Sequence, residues 1–150
     1  MMTEVHDIDI QKILPQAAPF IMIDAVTDYQ PGRSLTAVKN ITANEWSTGP
    51  LGSRNNAEPA YPEVLLIEAA AQTALVFASL EHGDQNAGVG RVVLGKITAE
   101  FQDSVRVGDQ VQLRISAFKI LPGRGYVDVV VTREDVEIGQ VNIFYSLVFG

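Results

Sequence analysis

Two residues in this chain of 150 combine a reactive or hydrogen-bonding side chain with an apolar setting: Glu68 and Gln72. They lie in the stretch Tyr61–His82 (YPEVLLIEAAAQTALVFASLEH), one helical turn apart and therefore on one face. A carboxyl group in such surroundings must be paired, hydrogen-bonded or protonated. It is either tied to a neighbouring backbone N–H or is an acid or base whose pKa its environment tunes. Both readings are open on these residues alone. Other chemistry is sparse. There is no cysteine and there are two histidines, His6 and His82, so thiolate chemistry is excluded and neither a zinc site nor another cofactor is expected. His6 lies in the N-terminal stretch. His82 ends the helix, roughly 20 Å from Glu68 at 1.5 Å per residue.

The element that must hold Glu68 is that helix. Pro62 suits a first turn, Glu63 favours the positive end of the helix dipole, and Gly83 is a natural stop. From Glu63 to Leu80 the polar residues are Glu63, Glu68, Gln72, Thr73 and Ser79. A helix apolar on nearly every side is buried in protein or in a bilayer. A carboxylate at the bilayer centre costs about 3 kcal/mol or more, so a soluble core is expected. Ala70, Ala74 and Ala78 form a small-residue ridge that another backbone can approach closely.

The rest of the chain reads as strands around this helix. Asp7 or Asp9 caps a short helix ending near Leu14–Pro15. Phe20–Tyr29 and Ser34–Ile41 form a hairpin about the Pro31–Gly32 turn. Residues 43–60 form an aperiodic loop of the length usually reserved for function, and 83–90 form a second connection. Strands follow over Arg91–Phe101, Val111–Ile120, Tyr126–Thr132 and Ile138–Phe149, with Val111, Leu113, Ile115 and Ala117 on one face. Helices and strands that do not alternate indicate an α+β domain, here a single one over 1–150. The helix needs more cover than one sheet provides, so strong curvature of the sheet, or a dimer, is expected.

With 47% hydrophobic residues the chain has enough apolar content for a substantial core, and its net charge of −7 argues against a nucleic-acid partner. The lack of cysteine fits a reducing compartment, and no basic start leads into an apolar run, so a cytoplasmic location is expected.

Three stretches, LPQAAPFIMID (Leu14–Asp24), YPEVLLIEAAAQTA (Tyr61–Ala74) and GKITAEFQDSVRVGD (Gly95–Asp109), resemble the hotdog-fold 3-hydroxyacyl-acyl-carrier-protein dehydratases of fatty acid synthesis, the FabZ-like group. The resemblance implies a curved antiparallel sheet wrapped around the long central helix, and dimers that join edge to edge. It implies a histidine in the loop before the helix as base and a helix carboxylate from the other subunit as acid. By position Glu68 matches that carboxylate. Glu63 follows the helix-opening Pro62, where a backbone N–H holds the thioester carbonyl. Tyr61 either stands at the mouth of the implied site or packs the helix entry, and Tyr61, Pro62, Glu63 and Gln72 are the implied substrate-binding residues. The histidine loop of the family reads Gly-His-Phe-Pro, two residues, Pro, two residues, Pro-Gly. The run here is SRNNAEPAYPE, which keeps Pro59 and Pro62 and places Arg54 at the histidine position. Arginine stays protonated and is no base near neutrality, and no histidine occurs between Asn44 and Glu63. The usually basic stretch that docks the carrier protein reads TAEFQD (Thr98–Asp103), where Glu100 and Asp103 would repel an acidic partner.

These departures point to a catalytically incomplete subunit that pairs with an active dehydratase-like partner in fatty acid or polyketide (polyene) 3-hydroxyacyl dehydration. The partner would supply the histidine and the carrier docking. Two alternatives stand beside it: a non-catalytic acyl-binding homodimer, and a hotdog thioesterase that uses Glu68.

Overall fold

The structure, a computed structural model, describes residues 4–16, 18–42, 60–82 and 91–148. A single 3-10 turn at Val5–Asp7 precedes a one-turn helix α1 (Ile10–Ile13), whose N-cap is Asp9; its carboxylate accepts the Lys12 N–H. The hairpin β1 (Ala25–Gln30) and β2 (Ser34–Asn40) follows, then α2 (Glu63–Glu81). The strands β3 (Arg91–Phe101), β4 (Gln110–Leu121), β5 (Arg124–Arg133) and β6 (Val136–Val148) complete the order.

All six strands form one antiparallel sheet in the order β1-β2-β4-β5-β6-β3. Register shifts interrupt the β1/β2, β3/β6, β4/β5 and β5/β6 ladders. Such bulges bend a strand and increase its twist, and they help the sheet curl around α2. Phe77, fully buried on α2, packs edge-on to Phe118 at 4.8 Å and to Tyr29 at 6.4 Å between ring centroids. Leu66, Ala70 and Ala74 are buried in the same core as Leu113, Val129 and Val141. The α+β reading and the wrapped helix therefore hold.

Two local expectations need correction. The bulge between Ile115 and Ala117 moves Ala117 to the exposed face and turns Phe118 inward. Strict alternation fails there because one extra residue flips every side chain beyond it. The first strand begins at Ala25 rather than Phe20. In 20–24 the backbone is claimed instead by helix side chains and by β2: the Asp24 N–H donates to the Val38 carbonyl at 2.8 Å, and the Asp24 carboxylate accepts the Asn40 N–H at 2.6 Å.

Helix α2 is also less covered than an all-round apolar helix suggests. Leu66, Ala70 and Phe77 are buried, whereas Val64 is 67% exposed and Ile67, Leu75 and Ser79 are only partly covered. The length and composition of Glu63–Glu81 would suffice to cross a membrane, but its inward face is the core of the sheet.

The far end of α2 is pinned to the hairpin. The Glu81 carboxylate accepts the Tyr29 hydroxyl at 2.7 Å and the Gly32 N–H at 2.9 Å. Burial and the Glu81 carboxylate raise the Tyr29 hydroxyl well above the usual phenol range, and burial pushes Tyr145 up to about 12. Both phenols stay neutral in the fold after their unfolded counterparts have ionised. Their contribution is therefore fully present below the unfolded value of 10.0 and is lost as pH rises towards 12. Thermal melts should show the midpoint falling across that window, and Tyr145→Phe should flatten the fall.

The two-residue turn Glu134–Asp135 joins β5 to β6 with φ of 52° and 64°. Left-handed values at both positions are those of a type I′ turn, which favours Asn-Gly. Glu134→Asn with Asp135→Gly should raise stability by about 1 kcal/mol. A later urea midpoint with an unchanged slope would show it.

Candidate active site

Glu68 sits in the first third of α2, partly covered, beside Pro15 and Gln16. Gln72, one turn on and 1% exposed, organises this contact. Its Nε2 donates to the Phe20 carbonyl at 2.7 Å and to Glu68 Oε1 at 3.0 Å, and its Oε1 accepts the Met22 N–H at 2.7 Å. Both amide donors and the carbonyl are thus used, and two of the three partners are backbone groups with no strand neighbour at those positions. A second amide, Gln16, donates its Nε2 to Glu68 Oε1 at 3.4 Å. Both donors converge on Oε1; among the described residues none is recorded on Oε2.

The carboxyl group opens into a cavity of about 140 Å³ lined by Pro15, Gln16, Glu68, Ala71, Gln72, Leu75 and Leu94. Its walls are apolar apart from the carboxyl and the two amides. Leu94, 42% exposed, comes from β3, which is an edge strand of the sheet. One side of the cavity therefore borders a strand edge that is unpaired among the described residues, and the partly covered side of α2. An oriented carboxyl on a rigid helix, in a small apolar pocket, can give or take one proton from a group held against it.

The two readings of Glu68 meet in this geometry: it is hydrogen-bonded, but by side-chain amides rather than a backbone N–H, and it still lines a pocket. Tyr61 is 3% exposed; its N–H donates to the Val105 carbonyl at 2.6 Å and its hydroxyl points to the Met22 sulfur at 3.9 Å. It anchors the helix entry in the core instead of lining the Glu68 cavity. Pro62 occupies the N-cap, one position earlier than the first turn expected, and its carbonyl receives the Leu65 N–H at 3.0 Å. Glu63 is an exposed first-turn residue. Neither borders the cavity. Arg54 lies outside the described residues. His82 is at the other end of α2, 3.1 Å from the Tyr145 hydroxyl, and His6 is exposed beside Asp7.

A family model described as a FabA-like domain matches residues 14–144. The chain belongs to the FabA-like family. Among curated FabA-like relatives, the FabZ 3-hydroxyacyl-[acyl-carrier-protein] dehydratase of Campylobacter concisus is 34% identical over 138 residues, covering 85% of this chain and 90% of that one. The corresponding FabZ of Nitratiruptor sp. is 33% identical, covering 81% and 86%. The chain is thus a homologue of FabZ dehydratases. Among solved structures, the dehydratase heterocomplex ApeI:P of Xenorhabdus doucetiae has a similar fold, with a TM-score of 0.74 at 13% identity over 93% of this chain and 90% of that one.

Within this FabA-like chain, sequence reasoning missed Gln16, Phe20, Met22 and Leu94. Only the amide stoichiometry of Gln72 hinted at them: a buried carboxamide needs about three partners, and the helix itself supplies one. The expected repulsion at Thr98–Asp103 also changes. The Asp103 carboxylate is paired with the Arg133 guanidinium, which also bonds the Ser104 carbonyl and reaches Asp109 at 3.5 Å. The neighbouring Ser104 N–H and Arg133 hold Asp103 below the usual carboxylate range. Its charge is largely neutralised in place, while Glu100 remains exposed on β3.

Proposed function

We propose that this chain is one subunit of a two-subunit dehydratase of 3-hydroxyacyl thioesters, contributing Glu68 to a site whose base comes from a homologous hotdog partner. The observation that carries this reading is the cavity at Glu68. At about 140 Å³ it is well below the roughly 300–1,000 Å³ of sites that enclose a whole ligand, and it borders the open β3 edge. A strand of eleven residues with Val93 and Leu94 exposed is a surface that proteins cover. A second sheet pairing there would cover Leu94 and enlarge the half-site.

In the reaction, the partner's base removes the proton at C2 of the acyl group. The thioester carbonyl oxygen takes up charge, and the family resemblance gives the role of receiving it to the backbone N–H after the helix-opening proline on the base's own subunit, the position that Glu63 holds in this chain. Glu68 delivers a proton to the departing C3 hydroxyl, which leaves as water. Arg54 cannot substitute for the base, since its guanidinium stays charged. The acyl chain arrives on a carrier protein docked by the partner, and the complex works in the cytosol on fatty acid or polyketide intermediates. The heterocomplex ApeI:P, with a similar fold, supports pairing of two unlike subunits on this architecture.

Co-expression with a homologous subunit that keeps the histidine tests the reading. The expected result is a stable complex that dehydrates 3-hydroxyacyl thioesters, with this chain alone inactive. A homodimer that retains acyl ligands without turnover would favour the binding-module reading, as would the partly apolar uncovered face of α2. Thioester hydrolysis by the chain alone would favour a thioesterase.

A further inference from the structure

The face of the sheet turned away from α2 carries a cross-strand row that the dehydration reading does not use. Lys119 on β4 pairs with Tyr126 on β5, Tyr126 with Phe144 on β6, and Phe144 with Lys96 on β3. Their chain neighbours Val127, Ile143 and Tyr145 are buried in the core, so by alternation the row faces outward. The Tyr126 and Phe144 rings meet at 4.7 Å between centroids with a tilt of 46°, and Phe144 is 47% exposed. The adjoining outward row sets Arg124 opposite Ser146. Between the two rows lies a cavity of about 370 Å³, with Lys119, Tyr126 and Phe144 on one side and Leu121, Arg124 and Ser146 on the other. Lys96, Lys119 and Arg124 are exposed and have no ion-pair partner among the described residues, in a chain whose net charge is −7. Asp128, in the next outward row, is held by Asn142 Nδ2. The cations around the aromatic pair therefore make a local field opposite in sign to that of the whole molecule.

We infer that this cavity binds a purine nucleoside monophosphate, with the base stacked on Phe144 and Tyr126 and the phosphate held between Lys119 and Arg124. Those two residues are diagonal neighbours across β4 and β5, about 7–8 Å apart at the backbone, a span that two long side chains close on one phosphate. Every base offers a π-face to such rings, and a purine offers the larger one. The volume falls in the range of roughly 300–1,000 Å³ usual for small-ligand sites. The negative charge of the chain opposes a polymer of phosphates but not a single one. The cavity lies on the opposite face of the sheet from Glu68, so its occupancy is independent of the half-site.

The test is titration of the isotope-labelled full chain, in the assembly it forms, with adenosine 5′-monophosphate, read by amide shifts and calorimetry. Binding should saturate, with the shifts centred on Lys119, Arg124, Tyr126 and Phe144. Adenosine and ribose 5-phosphate should each bind about 10-fold or more weakly than the nucleotide, since each lacks one half of the contacts. Arg124→Gln should weaken the nucleotide by about 10-fold and leave adenosine unchanged. Phe144→Leu should weaken the nucleotide and adenosine together by about 5-fold or more and leave ribose 5-phosphate unchanged. Arg114→Gln, farther along the same outward face, should change nothing. Arg124 is exposed, so its variant decides the matter even where Phe144→Leu lowers the thermal midpoint. Ribose 5-phosphate binding as tightly as the nucleotide, or Arg114→Gln weakening it as much as Arg124→Gln, leaves only diffuse attraction of anions and overturns the inference. Full affinity in Phe144→Leu overturns it too, as does the absence of saturation at millimolar nucleotide.

Discussion

Glu68→Gln in the assembled two-subunit complex should lower the dehydration rate by about 10²–10⁴, the usual worth of a positioned proton donor or acceptor. The substitution is chosen because it isolates chemistry from structure. A glutamine at 68 keeps an oxygen that can accept from Gln72 Nε2, so the contact now at 3.0 Å survives. The group is only partly covered, so no buried charge is lost from the core. Assembly and thermal stability should therefore stay close to wild type, and the loss should fall on the rate. The comparison needs the matching histidine variant of the partner. If both singles and the double variant are equally inactive, the two residues act as one unit. A complex that keeps full turnover with Glu68→Gln would reduce this chain to a stabiliser of an active partner.

Gln72→Leu should be the most damaging single substitution for stability, at about 3–5 kcal/mol. It breaks the bonds that the Met22 N–H and the Phe20 carbonyl now make with the amide at 2.7 Å, and losing such a bond at a buried group costs about 1–3 kcal/mol. Leucine matches the amide in size, so the loss is polar rather than steric. A shift of this size lowers the melting midpoint by about 10 °C in a domain of this length. Gln72→Asn, too short to span both groups, should behave almost as badly. A loss below 1 kcal/mol would show that water satisfies the backbone of 20–22 as well as the amide does.

How far the sequence could be read depends on the range of each signal. The helix was legible because Pro62, Gly83 and an apolar stretch between them are local, and the observed Glu63–Glu81 agrees within two residues. The strands were legible for the same reason, although the last two extend to Arg133 and start at Val136, closer to their turn than Thr132 and Ile138 suggest. Ala117 was not, because a bulge depends on how two strands settle together rather than on either strand alone. Phe20–Asp24 was not, because residues some fifty positions away decide its hydrogen bonds. At the site, Glu68 and Gln72 were visible as a helix face. Tyr61 was legible only as two alternatives, since an aromatic before a helix serves equally well as entry packing or at a mouth, and its burial selects the packing role.

From the order of residues alone came the composition of the proton-transfer equipment: one carboxyl in an apolar helix, and no histidine in the loop ahead of it. Those are covalent facts and need no folding to be true. Tertiary structure decided what surrounds that carboxyl: two amides on one of its oxygens and a small cavity against the β3 edge. The physical reason is reach. A hydrogen bond is satisfied within about 3 Å, and Gln16 lies 52 residues from Glu68 along the chain, so only the folded chain brings donor and acceptor to that distance.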